Sequence, residues 1–222
     1  RSGMATPRLL NTLQIQSLLS TNKGKFSVRL TKPLDGSNEH LPIDPYLLGA
    51  LLGDGNLCTS KGPLRFSSGD VEILDRVRSS LTQDLELVQY ASDSSPYDYH
   101  IVTKARIKGK PNSLKQSLST LKLLGLKSKD KFIPSSYLNA SIEHRIALLQ
   151  GLMDTDGTCD KRKPSLTYTT TSIRLANDVQ TLVRSLGGIA KVRTKQTSFT
   201  YADTKKQGDL AYSVGIRIPN PD

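Results

Sequence analysis

The strongest constraint on the fold is an internal repeat. Asp54-Gly55 and Asp156-Gly157 stand about 100 residues apart, and once they are aligned the match continues without a gap for about thirty residues. Each Asp-Gly ends an apolar run, Tyr46–Gly53 in one copy and Ile146–Met153 in the other, and a polar turn and a short β-rich stretch follow. The repeat therefore predicts two similar structural units that pack against each other.

Hydrophobic spacing assigns the same elements to both copies. Apolar residues recur at helical spacing after the β-rich stretch: Val71, Ile73, Val77 and Leu81 in the first copy, and Ile173, Leu175, Val179 and Val183 in the second. Two strands follow in each copy, Leu85–Tyr90 with Tyr97–Thr103 and Ile189–Thr194 with Leu210–Ile218, and the first copy adds a helix near Ser113–Leu124. The order helix, hairpin, helix, hairpin predicts an α+β fold with antiparallel sheets and a pseudo-twofold axis between the halves.

The repeat also suggests the domain organisation. We expect an N-terminal arm and linker over residues 1–40, the first repeat over 41–140 and the second over 141–222. Within the arm, Leu9–Leu19 has helical spacing and Gly24–Leu30 favours a short strand. Lys32–His40 is dense in turn-forming residues and is typical of a linker.

Net charge indicates the kind of partner. The chain has 31 Lys and Arg residues against 20 Asp and Glu, a net charge of +11, which favours a polyanion such as nucleic acid. Two cysteines and three histidines argue against a disulfide framework or a His-based metal centre. No apolar run approaches the roughly 20 residues that span a bilayer. We therefore expect an intracellular protein with no membrane contact.

The two apolar runs predict a site where they end. Small residues stand four apart on one face of each run: Gly49 and Gly53 in the first, Gly151 and Thr155 in the second. Two such helices can approach closely, which would bring Asp54 and Asp156 together across the pseudo-twofold. Two close carboxylates repel, and each favours protonation unless a cation lies between them. Mg2+ with phosphate oxygens is the cation that suits such a pair.

With these residues in place, the chain resembles the LAGLIDADG homing endonucleases. Leu149–Gly157 matches the nine-residue motif closely, whereas Leu47–Gly55 is looser, with Leu52 and Gly53 where the motif has Asp and Ala. The resemblance covers about residues 41–222 and is to the single-chain, two-motif form. It implies that Asp54 and Asp156 bind a divalent metal and act in catalysis, with the backbone carbonyls of Gly53 and Thr155 as further ligands. By the same resemblance, Asp154 has a structural role.

A second block is similar to the intein-encoded members of that family. Asp130-Lys-Phe-Ile-Pro134 lies between the two motifs and resembles their Lys-x-Ile-Pro block. In the family this lysine lies near the scissile phosphate, so the resemblance gives Lys131 a catalytic role. The second repeat has no equivalent lysine. Whether the chain is free-standing or derived from an intein stays open, and protein splicing is not predicted.

The resemblance also implies the activity. A saddle of two four-stranded sheets would lie in the major groove of a long double-stranded DNA target, and a monomer would cut both strands to leave 3′ overhangs. Mg2+ would support cleavage, Mn2+ would substitute, and Ca2+ would bind without supporting it. The expected DNA-binding residues are basic strand and loop positions: Lys61, Arg65, Lys104, Arg106, Lys161, Lys163, Arg193, Lys195 and Arg217. The alternatives are a catalytically inactive DNA-binding protein, an RNA maturase of the same fold, and a basic structural protein.

Overall fold

Two units make up the chain in the computed structural model, which describes residues 8–21, 27–58, 62–90, 95–105, 112–160, 165–201 and 204–218. The units are Arg1–Leu30 and Thr31–Asp222. The first contains helix α1 (Thr12–Thr21), none of whose side chains is buried. The strand expected at Gly24–Leu30 is wrong for residues 27–30, which have no regular structure, and residues 24–26 lie outside the described part of the chain.

The second unit holds both repeats. Its first half contains α2 (Pro45–Asp54), β1 (Gly55–Asn56), β2 (Leu64–Ser67), α3 (Val71–Ser80), β3 (Leu85–Gln89), β4 (Asp98–Thr103) and α4 (Ser113–Thr120). A 3-10 turn at Ser128–Asp130 and a short helix α5 (Ser135–Leu138) lead into the second half. That half contains α6 (Ile142–Asp156), β5 (Gly157–Asp160), β6 (Ser165–Thr170), α7 (Ile173–Ser185), β7 (Ile189–Tyr201) and β8 (Thr204–Arg217). Among the helices of the described residues, none is both long and apolar enough to cross a bilayer.

The two halves share one topology. Each has a four-stranded antiparallel sheet, in the order β1-β2-β4-β3 in the first and β5-β6-β8-β7 in the second. Equivalent residues have equivalent partners, since Gly55 pairs with Phe66 and Gly157 pairs with Tyr168. The α+β fold of two matched helix and hairpin repeats is therefore confirmed.

Helices α2 and α6 carry the two motifs, and their ends follow from the local sequence. The side chains of Asp44 and Ser141 cap the N-termini by accepting hydrogen bonds from backbone N–H groups of the first turn. At the other end, Gly55 and Gly157 leave the helical conformation and begin the first strand of each sheet. Each helix thus ends at the acidic residue of its motif.

The repeats pack together through these two helices. A Cβ atom on Gly49 would collide with the carbonyl oxygen of Leu148, and one on Gly151 would collide with that of Tyr46. Leu48, Leu51 and Leu52 of α2 and Leu148 and Leu152 of α6 are almost completely buried in a core that is continuous between the halves. The expected packing through the motif helices is therefore confirmed.

Three elements differ in length from the sequence-based expectation. Strands β7 and β8 pair from Ile189 with Arg217 as far as Tyr201 with Thr204, well past the expected ends of Ile189–Thr194 and Leu210–Ile218. The helix expected near Ser113–Leu124 stops at Thr120. Lys122 follows it with φ 58°, and this left-handed backbone conformation ends the helix.

Part of the expected linker is hydrogen bonded to the rest of its unit. The N–H of Leu34 donates to the carbonyl of Ser185 at 2.9 Å, and the N–H of Ser37 donates to that of Asn139 at 2.8 Å. Arg145, only 2% exposed, donates to the carbonyls of Leu34, Ala140 and Ser185. Its guanidinium therefore fastens the segment around Leu34 to α6 and α7.

Candidate metal and DNA-cleavage site

Asp54 and Asp156 are the last residues of two helices whose ends adjoin. A Cβ atom on Gly53 would collide with the side chain of Thr155 and would lie 3.4 Å from Oδ2 of Asp156. The hydroxyl of Thr155 donates to the carbonyls of Gly151 and Leu152 at 3.0 and 3.1 Å, which keeps that side chain against its own helix. The close approach of α2 and α6 thus brings the motif ends side by side.

Burial makes both carboxylates weaker acids than usual, and the charge of Asp54 adds to this effect at Asp156. Burial, followed by the charge of Asp54, raises the pKa of Asp156 to about 6, and the charge of Lys131 opposes this shift. Burial also raises the pKa of Asp54, again opposed by Lys131. Desolvation and a nearby like charge both penalise an ionised carboxylate, and a bound cation relieves both penalties. The pair is therefore suited to a divalent cation.

Lys131 lies beneath the end of α2. It is 3% exposed, and its ammonium Nζ lies within 3.2, 2.9, 3.0 and 2.8 Å of the carbonyl oxygens of Leu51, Leu52, Gly53 and Gly55. Burial lowers its pKa to about 8, and the charges of Asp156 and Asp54 oppose that shift. The last carbonyls of a helix lack intrahelical donors and carry partial negative charge, which a cation there satisfies. Lys131 thus caps the helix that presents Asp54.

The segment that carries Lys131 is held by the second repeat. The carbonyl of Lys131 accepts a hydrogen bond from the buried hydroxyl of Ser172 at 2.7 Å, and the N–H of Ile133 donates to Asp178 at 2.9 Å. The guanidinium of Arg174 lies 3.7 Å from the centre of the Phe132 ring. All three contacts come from the N-terminal half of α7 or its cap, so Lys131 links the second repeat to the first repeat's motif helix.

A cavity of about 340 Å3 opens beside Asp54. Its lining includes Asn56, Cys58, Lys127, Ser128 and Lys131. Lys127 and Ser128 are exposed at its edge and can donate hydrogen bonds to a phosphate. The cavity therefore offers polar space next to one of the two carboxylates.

The residues present fit a magnesium ion that is completed by other ligands. Among the described residues there is no cluster of three or more His, Cys, Asp or Glu side chains that could hold a metal alone. Mg2+ takes one or two carboxylates together with substrate phosphates and several waters, so Asp54 and Asp156 meet its usual demand. The carbonyl of Gly53 already accepts from Lys131 at 3.0 Å.

The predicted DNA-binding residues that the structure describes are all exposed: Arg65, Lys104, Arg193, Lys195 and Arg217. The rest, Lys61, Arg106, Lys161 and Lys163, lie outside the described residues. Because side chains alternate along a strand, Arg65 lies on the other face of its sheet from the buried Leu64 and Phe66. Arg193 likewise lies on the other face from Val192, which packs on the core. Each sheet thus turns basic side chains away from its helices.

Sequence reasoning missed a polar cluster across the repeat interface. The hydroxyl of Tyr46 donates to Asp154 at 2.9 Å, and Arg76 lies 2.9 Å from Asp154, 3.0 Å from Oε1 of Gln150 and 3.8 Å from the centre of the Tyr46 ring. In the aligned copy, Leu148 and Asp178 stand where Tyr46 and Arg76 do. That mismatch between the copies was the signal available in the sequence.

Comparison with known proteins supports the resemblance for the second repeat. The family described as a LAGLIDADG-like domain matches residues 143–212, a range that contains Asp156. Among solved structures, one reported for mesophilic variants of the homing endonuclease I-DmoI has a TM-score of 0.48 and 14% identity, covering 80% of this chain and 89% of that one. The N-terminal LAGLIDADG domain of DUF199/WhiA has a TM-score of 0.41 and 10% identity, covering 78% of this chain and 74% of that one.

The curated relatives are much longer proteins. The replicative DNA helicase DnaB of Mycobacterium intracellulare is 28% identical over 191 residues, which cover 86% of this chain but 27% of the relative. DnaB of a Nostoc species is 30% identical over 151 residues, which cover 64% of this chain and 17% of the relative. A DNA gyrase subunit from Mycobacterium kansasii is 26% identical over 158 residues, which cover 68% of this chain and 28% of the relative. This chain thus spans between 17% and 28% of the length of these relatives.

Proposed function

We propose that this chain is a site-specific DNA endonuclease of the LAGLIDADG kind, which cleaves both strands of a long duplex target. The observation that carries the proposal is the pairing of Asp54 and Asp156 at the adjoining ends of α2 and α6. Burial raises the pKa of both carboxylates, and the charge of Asp54 adds to the rise at Asp156; a shared divalent cation relieves both effects. Proteins seldom keep such a pair without a use for it.

Asp54 and Asp156 would hold Mg2+ between the protein and the DNA backbone. The metal would lower the pKa of a bound water and stabilise the charge that develops on the phosphodiester. Mn2+ is proposed to substitute, and Ca2+ to bind without supporting cleavage. Lys131 contacts four carbonyls at the Asp54 end of α2, and its charge would add to the positive potential that attracts a phosphate to this site.

The exposed basic faces of the two sheets are proposed to bind the duplex. A β-ribbon fits the major groove, where Arg and Lys read guanine and contact phosphates. Arg65 and Lys104 would act on one half of the target, and Arg193, Lys195 and Arg217 on the other. Because both halves belong to one chain, a monomer would cover both half-sites.

The relatives favour an inserted module over a helicase or a gyrase. The matched segment is a small part of proteins with two different names, a replicative helicase and a DNA gyrase. We therefore propose that the chain is a nuclease module of the intein-encoded type.

The test is selection from a randomised duplex library. The protein is incubated with the library in Mg2+ or EDTA, and both the bound and the cut DNA are sequenced. The proposal predicts cuts in both strands at one long site in Mg2+ alone, and no cuts with Asp54→Asn or Asp156→Asn. Selective binding without cuts would favour a binding protein, and the absence of both would overturn the proposal.

A further inference from the structure

The β7–β8 hairpin of the second repeat extends past its sheet. Strand β6 pairs with β8 from Leu166 only as far as Thr170, which faces Tyr212, whereas β7 and β8 pair with each other as far as Tyr201 and Thr204. Residues 195–201 and 204–211 therefore form a two-stranded arm. At roughly 3.3 Å per residue, the arm is about 20 Å long.

The first repeat has no matching arm among its described residues. The outermost strand pairs among the described residues are Ser67 with Asp98 and Gln89 with Tyr99, so the described pairing of β3 with β4 ends level with β2; residues 91–94 lie outside the description. The described paired length of the second hairpin is thus greater in the second repeat than in the first, although the strands of both sheets have the same order.

The arm covers no core. Its described side chains are exposed except for Thr197 and Ala211, and those of residues 199–201 and 205 lie outside the description. A two-stranded hairpin without a packing layer is marginally stable in water, so such an element gains most when a partner covers it. The arm's sequence is mainly hydroxyl, amide and Lys residues, which suit a polar and negatively charged partner.

A bulge gives the arm a set direction. Gln196 pairs with Leu210 and Ser198 with Gln207, so Gly208 and Asp209 face the single residue Thr197. The side chain of Gln196 donates to the carbonyl of Gly208 at 2.6 Å, and the hydroxyl of Thr197 donates to that of Asp209 at 2.6 Å. A bulge bends a ribbon and increases its twist, and these two hydrogen bonds hold this one.

We propose that the arm extends the DNA contact of the second repeat beyond that of the first, so that the second half-site is longer than the first. The inference rests on the proposed function, because the arm continues a face that carries Lys191, Arg193 and Lys195 along one strand. About 20 Å corresponds to about six base pairs at roughly 3.4 Å per pair. The second half-site should be longer by up to that amount.

The test maps where each part of the protein meets the DNA. Two singly labelled proteins are prepared with an iron–EDTA group. One carries the group on Cys159 in a Cys58→Ser variant, and the other carries it on the cysteine of Ser198→Cys in a Cys58→Ser, Cys159→Ser background. Each is bound to the library-selected duplex in Ca2+. Cys159 and Ser198 are both exposed. Both groups should cut the DNA in the same half, with the Ser198→Cys cuts nearer the outer end. Ser198→Cys cuts in the other half, or none at all, would overturn the proposal.

A shortened hairpin measures what the arm contributes. Replacing residues 197–209 by Asn-Gly joins the paired residues Gln196 and Leu210 through a favoured two-residue turn. The hydroxyl-radical footprint should shorten by about four to six base pairs at that end, with about tenfold weaker binding and cleavage at the same position. An unchanged footprint from a variant with native-like melting would overturn the proposal.

The outcomes separate the arm from the nuclease. Cleavage with a footprint that does not depend on the arm would support the proposed endonuclease and overturn the proposed DNA contact of the arm. An arm-dependent footprint without cleavage in Mg2+ would support the contact of the arm and overturn the endonuclease. If the unaltered protein selects no duplex, both proposals are overturned. Asp54→Asn is the matched control, because it should abolish cleavage and keep the footprint.

Discussion

The two repeats present their carboxylates in the same way but support them differently. Each motif helix ends at an Asp, is followed by a Gly and packs on its counterpart through a glycine. Below Asp54, the carbonyls at the end of the helix are capped by Lys131, whose segment is held by α7. The second repeat has no equivalent of this lysine in the sequence, and instead carries the longer hairpin.

This contrast separates what the fold requires from what can vary. Close contact between α2 and α6 depends on both glycines, so the sequence keeps them in both copies. The surrounding contacts have no such constraint: Tyr46, Arg76 and Asp154 form a polar cluster on one side, and Ser172 and Asp178 hold the Lys131 segment on the other. The packing of α2 on α6 is therefore symmetric between the repeats, whereas the polar contacts around it are not.

The largest effect should come from disrupting the close contact between α2 and α6. Gly49→Ala and Gly151→Ala each place a methyl group against a backbone carbonyl of the other helix, which cannot move without separating the repeats. We expect each to lower the free energy of unfolding by about 3 kcal/mol or more in urea titrations. Gly215→Ala is the matched control, because its nearest neighbour is 4.0 Å away. Equal stability of all three variants would contradict the account.

The next effect tests the support that only the first repeat has. Lys131→Met removes the donor to four carbonyls at the end of α2 and should cost about 3 kcal/mol of unfolding free energy. Lys129→Met, two residues away and exposed, should change it by less than about 0.5 kcal/mol. Chemical denaturation measures both. A Lys131→Met protein as stable as the Lys129→Met control would show that the cap is dispensable.

A third prediction compares the two carboxylates in EDTA. Folding raises the pKa of Asp156 from 3.8 to about 6, so protonation of this carboxyl stabilises the folded protein. The stabilisation is complete below about pH 3.8 and is lost as the pH rises through about 6. Asp156→Asn should therefore be about 1–2 kcal/mol more stable than the unaltered protein at pH 8, with the difference closing below pH 4.

Asp54→Asn should show a smaller gain at pH 8, because burial alone raises the Asp54 pKa, whereas the charge of Asp54 adds to burial at Asp156. The exposed Asp130→Asn is the matched control for an Asp-to-Asn change outside the pair. Melting curves at pH 4, 6 and 8 check these three variants. A destabilised Asp156→Asn protein at pH 8 would count against a strained pair.

The smallest effect concerns the cluster on the Tyr46 side. Arg76→Met removes the ion pair to Asp154, the hydrogen bond to Gln150 and the contact with the Tyr46 ring, and the Arg76 side chain that makes them is 46% exposed. We expect a loss of about 1 kcal/mol in urea unfolding. Arg78→Met, which loses only an exposed ion pair to Asp75 within α3, should stay within about 0.5 kcal/mol of the unaltered protein. An equal loss in both would remove the cluster from the interface.

The arrangement of the two motif helices could be predicted from the sequence alone because the same pattern occurs in both repeats. Two copies of one pattern gave the order of the elements, the helix pair and the juxtaposition of Asp54 with Asp156. The details that occur once were out of reach. Alternation does not reveal how far a hairpin outgrows its sheet, and nothing near Lys131 in the sequence indicates that its ammonium lies on the carbonyls of a distant helix.

The account rests on one divalent-metal site shared by two carboxylates, and metal binding tests it most directly. Mn2+ binding to the complex with the selected duplex can be measured by electron paramagnetic resonance for the unaltered protein, Asp54→Asn and Asp156→Asn. The account predicts protein-dependent Mn2+ binding that both single variants lose, together with cleavage. Mn2+ binding and cleavage that persist unchanged in either variant would contradict it.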